Sequence, residues 1–132
     1  MPEQHSYDYA VIRAVPRVER GEFVNVGVLV WCAPQRFLKA RVLVNESKIL
    51  ALDPKADVDA IRKAALAIPV ICEGSAAAGD LRRLSLSERF NWLVAPRSSS
   101  LQTSPVHAGR CSDLDGALAK IFSEMVGDES PK

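Results

Sequence analysis

Between Arg89 and His107 the chain reads "RFNWLVAPRSSSLQTSPVH", a short stretch holding two arginines, four serines and a histidine. Two kinds of chemistry use such residues. A serine beside a histidine and a carboxylate can act as a nucleophile, and Ser98, Ser99, Ser100 and Ser104 stand shortly before His107 and Asp113. That chemistry also needs a sharply held nucleophile turn and an oxyanion hole, and no Gly-x-Ser-x-Gly or comparable feature is present. Serines gather in loops for a simpler reason, because their hydroxyls satisfy turn backbone groups. The second chemistry is anion binding. The Arg97 guanidinium fork beside Ser98 and free loop amides suits a phosphate or a carboxylate, and Arg89, two helical turns earlier, can add a second positive group. The competing reading has Arg97 capping carbonyls at the end of the preceding helix, where the dipole favours a cation.

A third group, Arg13, Arg17 and Asn25, lies on what reads as a β-hairpin. Which face each occupies depends on a register that a one-residue slip inverts. On the valine side Arg13 needs a carboxylate or a ligand anion to compensate its burial; on the other it is an ordinary solvated arginine. The candidate anion-site residues are therefore Arg13, Arg17, Asn25, Arg89, Arg97, Ser98, Gln102 and His107. An enzymatic alternative, acting on a phosphate-containing substrate or nucleic acid, uses Arg13, Arg17, Arg97 and His107 and demands that they converge in one cleft. Neither Gly-x-x-x-x-Gly-Lys nor Gly-x-Gly-x-x-Gly is present, so no nucleotide cofactor is expected. Two histidines, His5 and His107, and three scattered cysteines, Cys32, Cys72 and Cys111, with no Cys-x-x-Cys, support neither a metal site nor a disulfide framework. The balance of motifs favours a noncatalytic accessory or interaction protein.

The elements that must position these residues are read from periodicity. "YDYAVIRAVPRV", Tyr7 to Val18, is rich in β-branched and aromatic residues, and Pro16 puts that end of the strand at an edge or a bulge. "ERGE" supplies a turn, and "FVNVGVLVWC", Phe23 to Cys32, alternates so that Val24, Val26, Val28 and Val30 share one face. Gly27 inside that strand suggests a bulge or a close backbone approach. "FLKARVLV", Phe37 to Val44, is a third strand with Leu38, Ala40, Val42 and Val44 inward and Lys39 and Arg41 outward. Asp57 caps a helix through Ile68, interrupted at Pro69, with Val58, Ile61, Ala65 and Ile68 on one stripe; whether "VICEG" continues it stays open. "SAAAGD" is the main internal loop. Ser85 and Glu88 form a capping box that starts a helix carrying Leu86, Phe90, Leu93 and Val94, and Pro96 ends it at Ala95. "SLQTSPVH" is extended, an edge strand or an irregular segment because of Pro105. The last helix runs from an Asp113 N-cap through Leu114, Leu118, Ile121, Phe122 and Met125 to a stop at Gly127. These elements predict an α+β fold: an antiparallel sheet of three to four strands with about three helices packed mainly on one face.

With 132 residues, 48% hydrophobic and 25% charged, the chain has the proportions of one soluble globular domain over residues 1–132, with 6–126 as ordered core and 127–132 as a frayed tail. A net charge of +1 argues against strong nonspecific attraction to nucleic acid or anionic lipid. The charge is uneven. Arg82, Arg83, Arg89, Arg97 and Arg110 against Asp80 and Glu88 leave +3 between Asp80 and Cys111, and Asp113, Asp115, Glu124, Asp128 and Glu129 against Lys120 and Lys132 leave −3 beyond it. Neighbouring elements of opposite charge can match each other internally, and that is the expectation here. No signal-peptide pattern opens the sequence, and no run approaches the roughly 18 apolar residues of a membrane span, so a cytoplasmic location is expected.

Taken together, "YDYAVIRAVPRVERGEFVNVGVLVWC" and "RFNWLVAPRSSSLQTSPVHAGRC" resemble an uncharacterised bacterial family, domain of unknown function 3037. The resemblance extends from Tyr7 to Val126. It includes Arg13, Arg17, Asn25, Arg89, Arg97, Ser98, Gln102 and His107, and departs only in the second serine of "PRSSS", where the family pattern has threonine and a hydroxyl is kept. It implies a small single-domain protein with no activity to carry over. It also implies a partner, because some members are encoded beside a HipA-like kinase. A homodimer formed through a sheet edge, anchored by Trp31 or Trp92, is the further expectation.

Overall fold

The computed structural model describes residues 3–97 and 99–127; Ser98 and the tail expected to fray, from Asp128 onward, lie outside the described residues. Five strands make one antiparallel sheet: β1 (His5–Ala14), β2 (Val24–Cys32), β3 (Phe37–Val42), β4 (Leu101–Thr103) and β5 (His107–Cys111). The order is β3-β2-β1-β4, with β5 also pairing β1. Four α-helices accompany them: α1 (Glu46–Leu52), α2 (Val58–Glu73), α3 (Leu86–Val94) and α4 (Leu114–Met125). The expected α+β class and antiparallel sheet are present, with one strand and one helix more than the highest numbers expected. α1, α2 and α3 cover one face around Ile12, Val26, Leu29, Ile49, Ile61, Ile68 and Phe90. α4 covers the other, packing Leu114, Leu118, Ile121 and Phe122 on Val28, Val30 and Cys32.

The valines of β2 therefore do not share a face. Ile12 pairs with Gly27 and Arg13 with Asn25, so β2 carries one extra residue, Val26, against β1. Such a bulge inverts the alternation beyond it. Val24 and Val26 join the core under α2 and α3, whereas Val28 and Val30 join the core under α4. Gly27 stands at this point for lack of room: a Cβ there would lie 2.7 Å from the Arg41 carbonyl oxygen and 2.8 Å from Val42 Cγ1.

β1 ends at Ala14, short of Pro16, and its outer edge is shared by two strands in line. The interruption between them is filled by Ser104. Its N–H donates to the Val11 carbonyl at 2.8 Å, its hydroxyl oxygen accepts from the Val11 N–H at 2.8 Å, and the hydroxyl donates to the Pro105 carbonyl at 2.9 Å. A buried serine thus replaces a ladder residue where Pro105 stops the pairing.

The helix starts follow their side chains. The Asp57 carboxylate accepts from the Ala60 N–H, and Ser85 and Glu88 make both bonds of the capping box. Asp113 occupies the N-cap of α4 without a side-chain capping bond. α2 runs through Pro69 to Glu73, burying Ile71 and Cys72 on the stripe that Ile61, Ala65 and Ile68 began. The segment after it, read as a loop, is a 3₁₀ stretch from Ala76 to Arg83 broken at Gly79. α1 is a short helix beyond those the periodicity predicts; the Asn45 side chain at its N-cap accepts from the Lys48 N–H, and its Ile49 is fully buried.

Candidate functional site

A cleft of about 260 Å³ opens between α2, α3 and β4. Ala64, Ala67, Ile68 and Ile71 of α2 form one wall, Trp92 and Leu93 of α3 another, and Ile12, Leu101 and Thr103 the floor, with Arg97, Ser99 and Gln102 at the polar end. Helical spacing explains the split role of α3. Phe90 and Leu93 face the core, which leaves Trp92 on the flank, 42% exposed beside the cleft. The alanines matter as much, because small side chains at 64 and 67 keep α2 from filling the space.

The polar end is largely bonded to its own backbone. Arg97 donates from Nε to the Ala95 carbonyl at 3.3 Å and from Nη2 to the Trp92 carbonyl, and its guanidinium lies 4.7 Å from the centre of the Trp92 ring. It caps the end of α3, as the competing reading of the sequence had it. The Ser99 hydroxyl donates to the Leu101 carbonyl at 2.7 Å, and Gln102 Nε2 donates to the Ser99 carbonyl at 2.9 Å. Three N–H groups of Arg97 have no acceptor among the described residues, and they are the charged donors the cleft can offer a ligand.

Arg89 is turned inward. Its Nε donates to the Leu84 carbonyl at 3.2 Å and its Nη1 to the Ile71 and Cys72 carbonyls at 3.1 and 3.0 Å, closing the C-terminal end of α2. Gly74 makes this approach feasible: its φ is 70°, and a Cβ there would lie 2.5 Å from Arg89 Nη1. Arg89 therefore fixes the angle between α2 and α3, and through it the width of the cleft.

The remaining candidates lie elsewhere. Arg13 and Asn25 are cross-strand partners. The Arg13 guanidinium lies 4.1 Å from the centre of the Phe23 ring, and Asn25 Nδ2 donates to the Met125 carbonyl at the end of α4 at 3.0 Å. Arg13 Nε and Asn25 Oδ1, one donor and one acceptor, are buried without partners among the described residues. Arg17 pairs with Glu19 at 2.9 Å on the surface. His107 is exposed and rests against Tyr9 with ring centres 5.3 Å apart. Gln102 stands opposite Arg13 in the β1–β4 ladder, so Arg13, Asn25 and Gln102 are in register on three adjacent strands, and of the candidates Arg97 and Gln102 line the cleft. The structure does not bring Arg13, Arg17, Arg97 and His107 to a common cleft, which the enzymatic alternative demanded.

No activated nucleophile compensates for this among the described residues. Ser104 is held by Val11 and Pro105, and the Ser99 hydroxyl by Leu101, rather than by His107. Burial pushes the Cys72 thiol up to about 12 against the opposing pull of Arg89, and desolvation also raises Cys111. Both thiols are held away from the reactive thiolate form. No three His, Cys, Asp or Glu side chains gather to hold a metal ion among the described residues, and no single helix there is long and apolar enough to cross a membrane.

The wall contributed by α2 was not legible as part of a site. Its one signal is the breadth of the apolar arc, in which Ala64 and Ala67 flank the stripe of Ile61, Ala65 and Ile68.

Residues 9–126 match the model of a family described as protein of unknown function, DUF3037, and the chain belongs to that family. No match was found among curated proteins, and none among solved structures.

Proposed function

For a member of a family with no assigned activity, we propose a noncatalytic interaction module that takes an apolar side chain of a partner protein into the α2–α3–β4 cleft, with a neighbouring carboxylate on Arg97. The observation that carries this reading is the cleft itself: an apolar pocket with a half-exposed tryptophan on one flank and a capping arginine whose outer N–H groups remain available. An arginine held by helix carbonyls and stacked on a ring is already ordered, so pairing with a carboxylate immobilises little more.

The three cysteines are free and two of them are buried, which supports a reducing bacterial cytoplasm as the setting. A HipA-like kinase encoded nearby, implied by the family resemblance, is the first full-length partner to titrate by calorimetry.

The cleft is tested with the peptide acetyl-Glu-Leu-Phe-Glu-amide and its glutamine counterpart, followed by NMR at the Trp92 indole N–H. The glutamate peptide shifts that signal and binds at least tenfold more tightly than the glutamine peptide. Ala67→Phe, which fills the cleft, abolishes binding of both, and Arg97→Gln removes the difference between them. Binding unchanged by Ala67→Phe refutes the assignment.

A further inference from the structure

The opposite edge of the sheet is built differently. β3 is its outermost strand, and the Leu43 N–H donates to the Val26 carbonyl at 2.7 Å. In an antiparallel ladder the hydrogen-bonded pairs alternate, so with Leu43 the residues Arg41 and Lys39 bond to β2, and the N–H and C=O groups of Leu38 and Ala40 point out of the sheet. No hydrogen bond between described residues reaches those outward groups. They line a groove of about 360 Å³ whose walls are two helices on opposite faces of the sheet: Pro69, Cys72 and Glu73 of α2, and Asp115, Leu118 and Ala119 of α4. An unpaired edge at the floor of a groove is a template for one more strand.

The side chains along this edge select what fits. On the α2 face an added strand meets the apolar Leu38, Ala40, Pro69 and Cys72, with Glu73 exposed at the end of that wall. On the α4 face it meets Lys39 and Arg41. Lys39 is paired with Asp115 at 2.9 Å, but Arg41, with its guanidinium 5.1 Å from the centre of the Phe122 ring, has no ion pair among the described residues. A second copy of the chain is a poor occupant. In the two registers that overlap Phe37–Val42 most fully, antiparallel pairing of β3 with itself about Ala40 sets Lys39 opposite Arg41 and pairing about Lys39 sets lysine opposite lysine, and like charges directly opposite are destabilising.

We infer that the free edge of β3 accepts an extended segment of a partner protein in which apolar residues alternate with acidic ones. The apolar residues face α2 and the acidic ones face Lys39 and Arg41. The edge bounded by β4 and β5 offers no equivalent, because Ser104 and Pro105 interrupt it. This site lies at the other side of the sheet from the α2–α3–β4 cleft and stands or falls without it.

The probes are two eight-residue peptides, one alternating valine with glutamate and one alternating valine with lysine, added to the full chain while amide hydrogen exchange is followed by NMR. The glutamate peptide slows exchange at Leu38 and Ala40 at least tenfold and binds at least tenfold more tightly than the lysine peptide. Arg41→Glu reverses that preference. Ala40→Pro removes an outward N–H without touching the ladder to β2, and it abolishes the protection. Should that variant lose its native amide spectrum, the Arg41→Glu reversal decides alone. Equal binding of the two peptides, protection confined to other strands, or protection that appears on concentrating the protein without peptide would overturn the inference.

Discussion

Arg89 joins α2 to α3, and removing it tests how much of the architecture rests on one side chain. Arg89→Met keeps the apolar stem and deletes three hydrogen bonds, to the carbonyls of Leu84, Ile71 and Cys72. Hydrogen bonds from a charged donor contribute about 1.5–3 kcal/mol each, and a cation at a helix C-terminus about 0.3–1 kcal/mol more. The three bonds are not independent. Nη1 serves both Ile71 and Cys72, and the site is only part-buried, so water replaces some of what is lost. The net expectation is destabilisation by about 3 kcal/mol, a large share of the roughly 5–15 kcal/mol typical of a domain. Arg89→Lys retains the charge but cannot reach Leu84 and the end of α2 together, and recovers about 1 kcal/mol. Urea unfolding of the three proteins, with equal slopes so that midpoints compare directly, gives the measurement. A loss below about 1 kcal/mol for Arg89→Met would show that the α2 carbonyls are served by solvent and that Arg89 does not set the helix angle.

Two other outcomes follow from the packing and the proton chemistry. Gly27→Ala puts a Cβ 2.7 Å from a backbone oxygen of β3, which can yield only if β2 and β3 separate; urea unfolding should show a loss of about 2–3 kcal/mol, and a neutral variant would mean that the bulge has slack. Burial raises the Cys72 thiol from 9.0 to about 12, so between those values the unfolded chain releases a proton that the folded chain keeps, and stability falls as pH rises. At pH 10 the wild type should have lost about 1.4 kcal/mol more than Cys72→Ala, each relative to pH 8, and parallel pH profiles for the two proteins would contradict the assignment.

What the sequence disclosed and what it hid separate along physical lines. The start of α3 was legible because a capping box is local: Ser85 and Glu88 satisfy each other's donors within one turn. β3 was legible because its alternation is unbroken, so Leu38, Ala40 and Val42 enter one core as their spacing requires. β2 was misread for the opposite reason. A period of two carries no information about an inserted residue, and the extra Val26 sends two valines to each core. Only Gly27 hinted at it. Pro69 left the course of α2 open for a related reason. Locally it removes one helix bond and crowds a carbonyl, worth about 3 kcal/mol against the helix. The burial of Ile71 and Cys72 and the three bonds of Arg89 lie outside any local window, and together they carry α2 across it.

The same distinction applies to the arginines. Arg89 and Arg97 attract notice in the sequence as a pair of cations near serines, suited to an anion, yet both are held by carbonyls at helix ends. A helix C-terminus is itself an anion of about half a charge, supplied by the chain at no cost in translational freedom, so it outcompetes a dissolved ligand for any arginine within reach. An arginine so held keeps its outer N–H groups and loses its mobility, which makes it a better partner for a carboxylate than a free one. On that argument the helix cap and the proposed binding role at Arg97 are successive uses of one side chain, whereas Arg89, with Nε and Nη1 both engaged inside the fold, has only the first.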